Sequence, residues 1–331
     1  MSGRASRGRR RGRRTRIPSS SPTRSHEIVQ PRALRPGGVV GLAAPAGPVD
    51  PDRLAAGCAW LEGAGFSVVR REDLLSRRGY LAGDDERRAK ELMELVENDT
   101  VDAILCARGG YGCHRVVSRL DADVFRVARK PLAGFSDVTT LLLWQLRCAG
   151  LAGFHAPMPA QTFSRECDRE ALVGLLCGEA LRGSEAPLRG TPGGGGAAEG
   201  RLVGGNLTVL AASLGCPWEV ETEGAILLVE DVGERPYRLD RVLAQLREAG
   251  KLAGLAGAGV GSFEACDDEA YPSPAACEVV EEALRPLGVP LVLGLPFGHG
   301  PENVPWPVGA TARVDGDAGT IEWNSPSVAI S

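Results

Sequence analysis

The chain has 331 residues, 43% of them hydrophobic, with 44 Gly and 23 Pro. That is room for about two domains at the usual ~150 residues each, and Gly plus Pro at a fifth of the chain, against a usual ~12%, excludes a long bundle or coiled coil. No run approaches the ~18 apolar residues of a membrane-spanning helix, and the charge is split: residues 1–36 hold eleven Arg and one acid, whereas the rest holds 27 basic against 41 acidic residues, which excludes a nucleic-acid surface on the folded body.

Residues 1–36 carry Ser, Gly and Arg without an apolar face and read as a disordered basic tail. Its Arg-Arg pairs are not followed by an apolar stretch, so it is a poor secretory or twin-Arg signal. Two readings stand for it: the natural start lies at Val29, or the tail tethers the protein to nucleic acid or membrane. Beyond it, strands and helices alternate. Gly38–Ala46 has the pattern of a buried strand and runs into Pro45-Ala46-Gly47-Pro48. A helix follows over Asp52–Gly63, then a strand at Phe66–Val69. Asp84-Asp85 caps a helix over Glu86–Glu97. The strand Val101–Cys106 leads into Arg108-Gly109-Gly110-Tyr111-Gly112, with a helix near His114–Leu120. Leu132–Phe135 is a strand, Asp137–Arg147 a helix, and Leu151–Phe154 a strand ending at His155. This repetition implies a parallel, doubly wound sheet, in which ligands bind beyond the carboxyl ends of the strands.

Leu181–Gly200 reads as a Gly-rich linker, which divides a domain over 37–180 from one over 201–331. The second domain holds Leu202–Leu214, the strand Ala225–Glu230, a helix over Arg238–Ala249 and a strand near Gly259–Phe263. A helix over Pro274–Leu284, the strand Leu291–Leu295 and a hairpin over Thr311–Trp323 complete it.

Nine scattered cysteines without a C-x-x-C suggest neither a zinc ribbon nor a disulfide framework, and they point to a reducing, cytoplasmic compartment. No metal-ligand spacing and no nucleotide-binding glycine fingerprint occurs, so neither metal nor cofactor is expected. Ser136 stands where an apolar strand stops and a helical pattern starts, the setting of a nucleophile elbow, although Val138 occupies a site that usually wants a small residue. The same residues equally describe an N-cap. His299, in Pro296-Phe297-Gly298-His299-Gly300, and Glu230, at the end of an apolar strand, are candidates for base and orienting acid. Each has a plain reading as a loop histidine or a strand-end carboxylate. Two other classes remain open: a non-catalytic binding module, and a hydrolase with Cys106 or Cys113 as nucleophile.

Eight short motifs in order bear on this choice. They are Ala44-Pro45-Ala46, Ala107–Gly112, Gly134–Thr139, His155-Ala156-Pro157-Met158, Gly204-Gly205-Asn206-Leu207, Leu228–Val232, Tyr237–Arg241 and Phe297-Gly298-His299. Together they resemble the LD-carboxypeptidases, serine peptidases of murein tetrapeptide recycling, and the related microcin C self-immunity peptidases. The resemblance covers roughly residues 37–325. It implies a flavodoxin-like, parallel-sheet N-terminal domain and a C-terminal mixed-sheet, barrel-like domain. It implies Ser136 as nucleophile, His299 as base and Glu230 as its orienting acid, with an oxyanion hole from the backbone of Gly109, Gly110 and Asp137. It further implies a homodimer, a small muropeptide substrate and D-Ala as leaving residue. Arg108, Tyr111, His155, Asn206 and Arg241 are the candidates for substrate binding, Arg108 and Arg241 for its terminal carboxylate. Ala156 and the run Gly215-Cys216-Pro217-Trp218 depart from the family's usual residues near the expected cleft.

Overall fold

The computed structural model describes residues 27–161, 163, 165–178, 188–323 and 328–329. Its first half builds strands β1 (Val39–Ala43), β2 (Ser67–Arg70), β3 (Ala103–Cys106), β4 (Leu132–Gly134) and β5 (Gly153–His155). They are all parallel, in the spatial order β2-β1-β3-β4-β5. That is the flavodoxin-like order, whose ligand crevice lies where the order reverses, between β1 and β3. Between these strands run helices α1 (Pro51–Gly63), α2 (Asp85–Glu97), α3 (Cys113–Val116), α4 (Ala122–Ala128) and α5 (Thr139–Trp144); α6 (Glu166–Cys177) follows β5.

Local chemistry sets these boundaries. The Asp50 carboxylate accepts from the amides of Asp52 (3.1 Å) and Arg53 (2.9 Å), and Pro51 occupies the first turn of α1. Asp84 caps α2 through the Arg87 amide at 2.8 Å. The helix expected over Asp137–Arg147 is a composite: a 3-10 turn over Ser136–Val138, then α5, then a π turn over Gln145–Ala149. The buried Gln145 amide donates to the Ala152 carbonyl at 2.8 Å and fastens that wide turn to β5. Strands β1, β3 and β4 are apolar throughout because helices cover both faces of the sheet. Ile104 packs with Leu92, Phe135 and Leu141, and the adjacent Leu105 with Leu42, Leu54 and Leu172.

The second half forms an eight-stranded mixed sheet, from β6 (Leu188–Arg189), β7 (Thr191–Pro192), β8 (Ala197–Asn206), β9 (Ala225–Val232), β10 (Gly257–Glu264), β11 (Leu291–Leu293), β13 (Thr311–Asp315) and β14 (Thr320–Trp323). Strand β12 (Trp306–Val308) belongs elsewhere, and helices α7 (Leu207–Ala212), α8 (Pro236–Glu248) and α9 (Ala276–Leu284) connect the rest. Strands β8 to β11 are parallel neighbours, whereas β13, β14, β6 and β7 join antiparallel. Strands β6 and β7 pair with opposite edges, β14 and β11, and only Gly190 separates them. The sheet therefore bends round until its edges meet, the barrel-like form expected.

Three boundaries need correction. The basic tail expected over 1–36 is shorter: Val29 bridges to Leu151, Arg32 bridges to Ala329, and Leu34 is buried with its amide on the Leu176 carbonyl (2.8 Å). Burying Leu34 and pairing these amides fixes 27–36 to the body; residues 1–26 lie outside the described residues. Much of the linker expected over 181–200 is sheet. The Gly193 and Gly194 amides donate to Leu291 and Gly316 carbonyls at 2.9 and 3.0 Å, so a segment without side chains is held by its backbone; residues 181–187 lie outside the described residues. The two halves also interleave. Strand β12 leaves the second half and pairs antiparallel with β5, Trp306 opposite His155, as the sixth strand of the first sheet.

Candidate active site

Ser136 stands one residue beyond β4, after Phe135, and has φ +63°, the left-handed region, which is costly for a residue with a side chain. The turn is sharp enough to put the hydroxyl above the first turn of the helix behind it. Glu230 lies near the end of β9, wholly buried. His299 lies on the loop after β11. Its Nδ1 is 2.7 Å from Glu230 Oε2, and its Nε2 is 3.1 Å from Ser136 Oγ. Three residues from distant parts of the chain thus form one hydrogen-bonded line.

The surrounding elements fix this line. The Asn206 amide at the end of β8 donates to Thr139 Oγ1 at 3.1 Å, which docks the second sheet on the Ser136 helix. A Cβ on Gly205 would stand 2.5 Å from that same oxygen, so the approach requires glycine. The His299 loop is held by Asn303 and Ser262. The Gly298 amide donates to Asn303 Oδ1 (3.1 Å), the Gly300 amide to Ser262 Oγ (2.9 Å), and the Asn303 amide to Asp168 Oδ2 on α6 (3.1 Å). Sequence reasoning missed Ser262, Asn303 and Asp168, and nothing in their local sequence marks them.

Burial pushes the Glu230 carboxyl above its ordinary range; the hydrogen bond and charge of His299 oppose this, with a smaller contribution from Asn206. A carboxylate held without water and aimed at Nδ1 keeps Nε2 as the nitrogen facing the serine. Asp137 is buried, and its Oδ2 accepts from the Cys113 amide at 2.8 Å, which ties the Ser136 turn to the glycine loop. Burial raises its carboxyl pKa, and the Cys113 amide opposes the rise.

The other site expectations divide. Gly109 packs on Ser136, but its amide already donates to Gln161 Oε1 at 3.2 Å, so its share in an oxyanion hole is corrected. Gly110 is exposed beside it. A crevice of about 960 Å³ opens where β1 and β3 end; Arg108, Gly110 and Tyr111 line it. An Arg108 guanidinium nitrogen donates to the Pro48 carbonyl, which lays the side chain along the crevice wall. The Tyr111 ring meets that of Tyr80 edge-on at 5.7 Å.

Three candidates for substrate contact are corrected. His155 is fully buried, stacked on Trp306 at 5.0 Å and edge-on to Phe135 and Phe297, behind the hydrogen-bonded line. Desolvation, with the neighbouring His299, pushes it down to about 3, so it is neutral. Asn206 spends its side chain internally: Nδ2 donates to Asp231 Oδ1 at 2.8 Å, and Oδ1 caps α7 through the Val209 amide at 3.1 Å. Arg241 is exposed on α8, 5.7 Å over the Tyr237 ring, and does not line the crevice. The cysteine alternative also fails. Cys106 and Cys113 are fully buried, and desolvation raises both thiols far above their ordinary range.

The chain is similar to known proteins over most of its length. A family model described as the LD-carboxypeptidase N-terminal domain matches residues 40–156, and one described as the C-terminal domain matches residues 199–314. A Synechocystis protein provisionally named a carboxypeptidase is 40% identical over 300 residues, covering 89% of this chain and 97% of its own. The murein tetrapeptide carboxypeptidase of Pseudomonas aeruginosa is 34% identical over 293 residues, covering 85% and 94%. Among solved structures, the muramoyltetrapeptide carboxypeptidase of Oxalobacter formigenes superposes with a TM-score of 0.76 at 28% identity, covering 88% of this chain and 99% of that one.

Proposed function

The chain belongs to the LD-carboxypeptidase family, a family of serine-type carboxypeptidases, and on that premise we propose that it releases the terminal D-Ala of murein tetrapeptides by hydrolysing an L,D-peptide bond. The observation that carries the reading is the line Ser136–His299–Glu230, at 3.1 and 2.7 Å, beside an open crevice.

In this reading Ser136 Oγ attacks the scissile carbonyl carbon while His299 Nε2 takes the hydroxyl proton. Glu230 stabilises the imidazolium that forms. The carbonyl electrons move onto oxygen, where the amides of Gly110 and Asp137 receive them, each donor contributing about 3 kcal/mol. Collapse breaks the C–N bond, His299 gives its proton to the leaving amine, and an acyl ester remains on Ser136. A water, deprotonated by His299, cleaves that ester. Arg108 holds the terminal carboxylate of the substrate, which restricts the reaction to the last residue. The resemblance supports action as a homodimer on recycled murein fragments, and the scattered cysteines support a reducing, cytoplasmic compartment. Mass spectrometry of products from a murein tetrapeptide and a peptidyl-nucleotide, incubated in parallel, tests the substrate. D-Ala from the first supports the reading; cleavage of the second alone replaces it with self-immunity.

A further inference from the structure

Helix α2 buries two charges against the loops that frame the glycine run. Arg88 and Glu91 are both wholly buried. Glu91 Oε2 accepts the Ala44 amide at 2.6 Å, where β1 ends, and its Oε1 is paired with Arg87 at 2.6 Å. One turn away, Arg88 Nη1 donates to the Pro45 carbonyl, while Nη2 pairs with Asp85. The same Nη1 lies against the glycine loop: a Cβ on Gly112 would stand 2.2 Å from it. One guanidinium therefore touches two loops, and each leads within a few residues to the reacting hydroxyl. Beyond Pro45, the Gly47 amide donates to the Gly109 carbonyl at 3.0 Å. Before Gly112, Gly110 approaches Gly47 so closely that a Cβ on it would meet the Gly47 Cα at 3.3 Å. Gly109 packs on Ser136, and the Cys113 amide, next to Gly112, donates to Asp137 Oδ2 at 2.8 Å. Burial raises the Asp137 carboxyl, opposed first by the Cys113 amide and then by the Arg88 charge.

A buried guanidinium adds little net stability, because desolvation offsets most of what its partners return. What its planar fork supplies is direction, since it holds a carbonyl and a carboxylate at once in fixed geometry. Resting on the hydrolase reading, we propose that Arg88 is a positioning residue for the reaction: it holds the 45–47 segment and the 109–112 loop in one arrangement, and so keeps the Gly110 amide and the Ser136 hydroxyl at the spacing at which both meet the substrate carbonyl. Arg88 does not line the crevice and acts only through these two loops.

The rate of labelling by a fluorophosphonate tests this, because the phosphonyl oxygen takes the place of the oxyanion. Arg88→Met is expected to slow labelling of Ser136 by about tenfold or more, since a displacement of about 1 Å near the reacting atoms has an effect of that order. Arg88→Lys, which keeps the charge and a donor, recovers part of the rate. Leu243→Ala, a buried position on α8, lowers stability by leaving a cavity but does not slow labelling. Hydrogen–deuterium exchange supplies a second readout that needs no chemistry. Amides of the peptide 107–113 exchange faster in Arg88→Met and not in Leu243→Ala. Labelling at equal rates in the wild type and Arg88→Met, or an equal slowing in Leu243→Ala, overturns the proposal and leaves the hydrolase reading intact. A wild type that is not labelled removes the hydrolase reading, and exchange then decides: faster exchange of the loop in Arg88→Met keeps Arg88 as its clamp, and unchanged exchange overturns that too.

Discussion

A Cβ placed on Gly109 would stand 2.7 Å from the Cβ of Ser136 and 2.9 Å from its hydroxyl oxygen. The glycine loop after β3 and the turn after β4 therefore touch at the point where the reacting hydroxyl sits. Neither side can yield: Ser136 already has φ +63°, and the Gly109 carbonyl accepts the Gly47 amide at 3.0 Å. Gly109→Ala is expected to lose about 1–3 kcal/mol of stability through overpacking and at least about 100-fold in kcat, since a displacement of about 1 Å at a nucleophile has that effect. Denaturant unfolding and steady-state kinetics on one preparation check both.

The backbone at Ser136 makes a second expectation. Ser136→Ala and Ser136→Gly both remove the hydroxyl and both lose hydrolysis. Only the glycine relieves the positive φ. Ser136→Gly is expected to be more stable than Ser136→Ala by about 1 kcal/mol. Equal urea midpoints would show that the turn holds no strain.

His155 gives a pH dependence with a definite sign. Its folded pKa is pushed down to about 3, mainly by burial. An unfolded histidine titrates near ~6.5, so between these values the unfolded chain binds the extra proton and the folded chain does not. Stability from this residue is whole above pH 6.5 and falls as pH drops toward 3. Between about pH 7 and 4.5 the loss is about 2–3 kcal/mol. His155→Phe, which keeps an aromatic ring beside Trp306, removes that part of the acid sensitivity. Urea unfolding at the two pH values measures it, and an identical pH slope in wild type and variant contradicts it.

Ser136, Glu230 and His299 each stand where an apolar strand runs out, a setting that equally suits an N-cap, a strand-end carboxylate and a loop histidine, and it is the resemblance carried by the ordered motifs that singles them out. Their mutual distances cannot be read from the sequence, since 163 residues separate Ser136 from His299. What the sequence hides has physical reasons. Strands β6 and β7 have two residues each and no periodicity, and a glycine run reads as a linker even where its amides are paired across a sheet. Strand β12 is three residues with a central proline, Trp306-Pro307-Val308, so nothing announces that it crosses to the first sheet. His155 and Asn206 lie in motifs that look ready for substrate, but an unpaired buried ring and an internal hydrogen bond become visible only in three dimensions.

Asn206 supports the site from below. Asn206→Ala removes the bond to Asp231, the cap of α7 and a group that steadies the Glu230 carboxylate. A loss of about 1–3 kcal/mol is expected, with kcat falling more than KM rises. Asn206→Asp, which keeps the cap but sets a carboxylate against Asp231, is expected to be no better in kcat. Full activity in either variant would dissociate Asn206 from the acid's environment.

The central claim is that His299 activates the Ser136 hydroxyl. Labelling with a fluorophosphonate, read by peptide mass spectrometry, tests it without knowledge of the substrate. The account predicts one adduct, on Ser136, formed quickly by the wild type and slowed by at least about 100-fold in His299→Ala. An adduct on another residue, or equal rates with and without the imidazole, would contradict it.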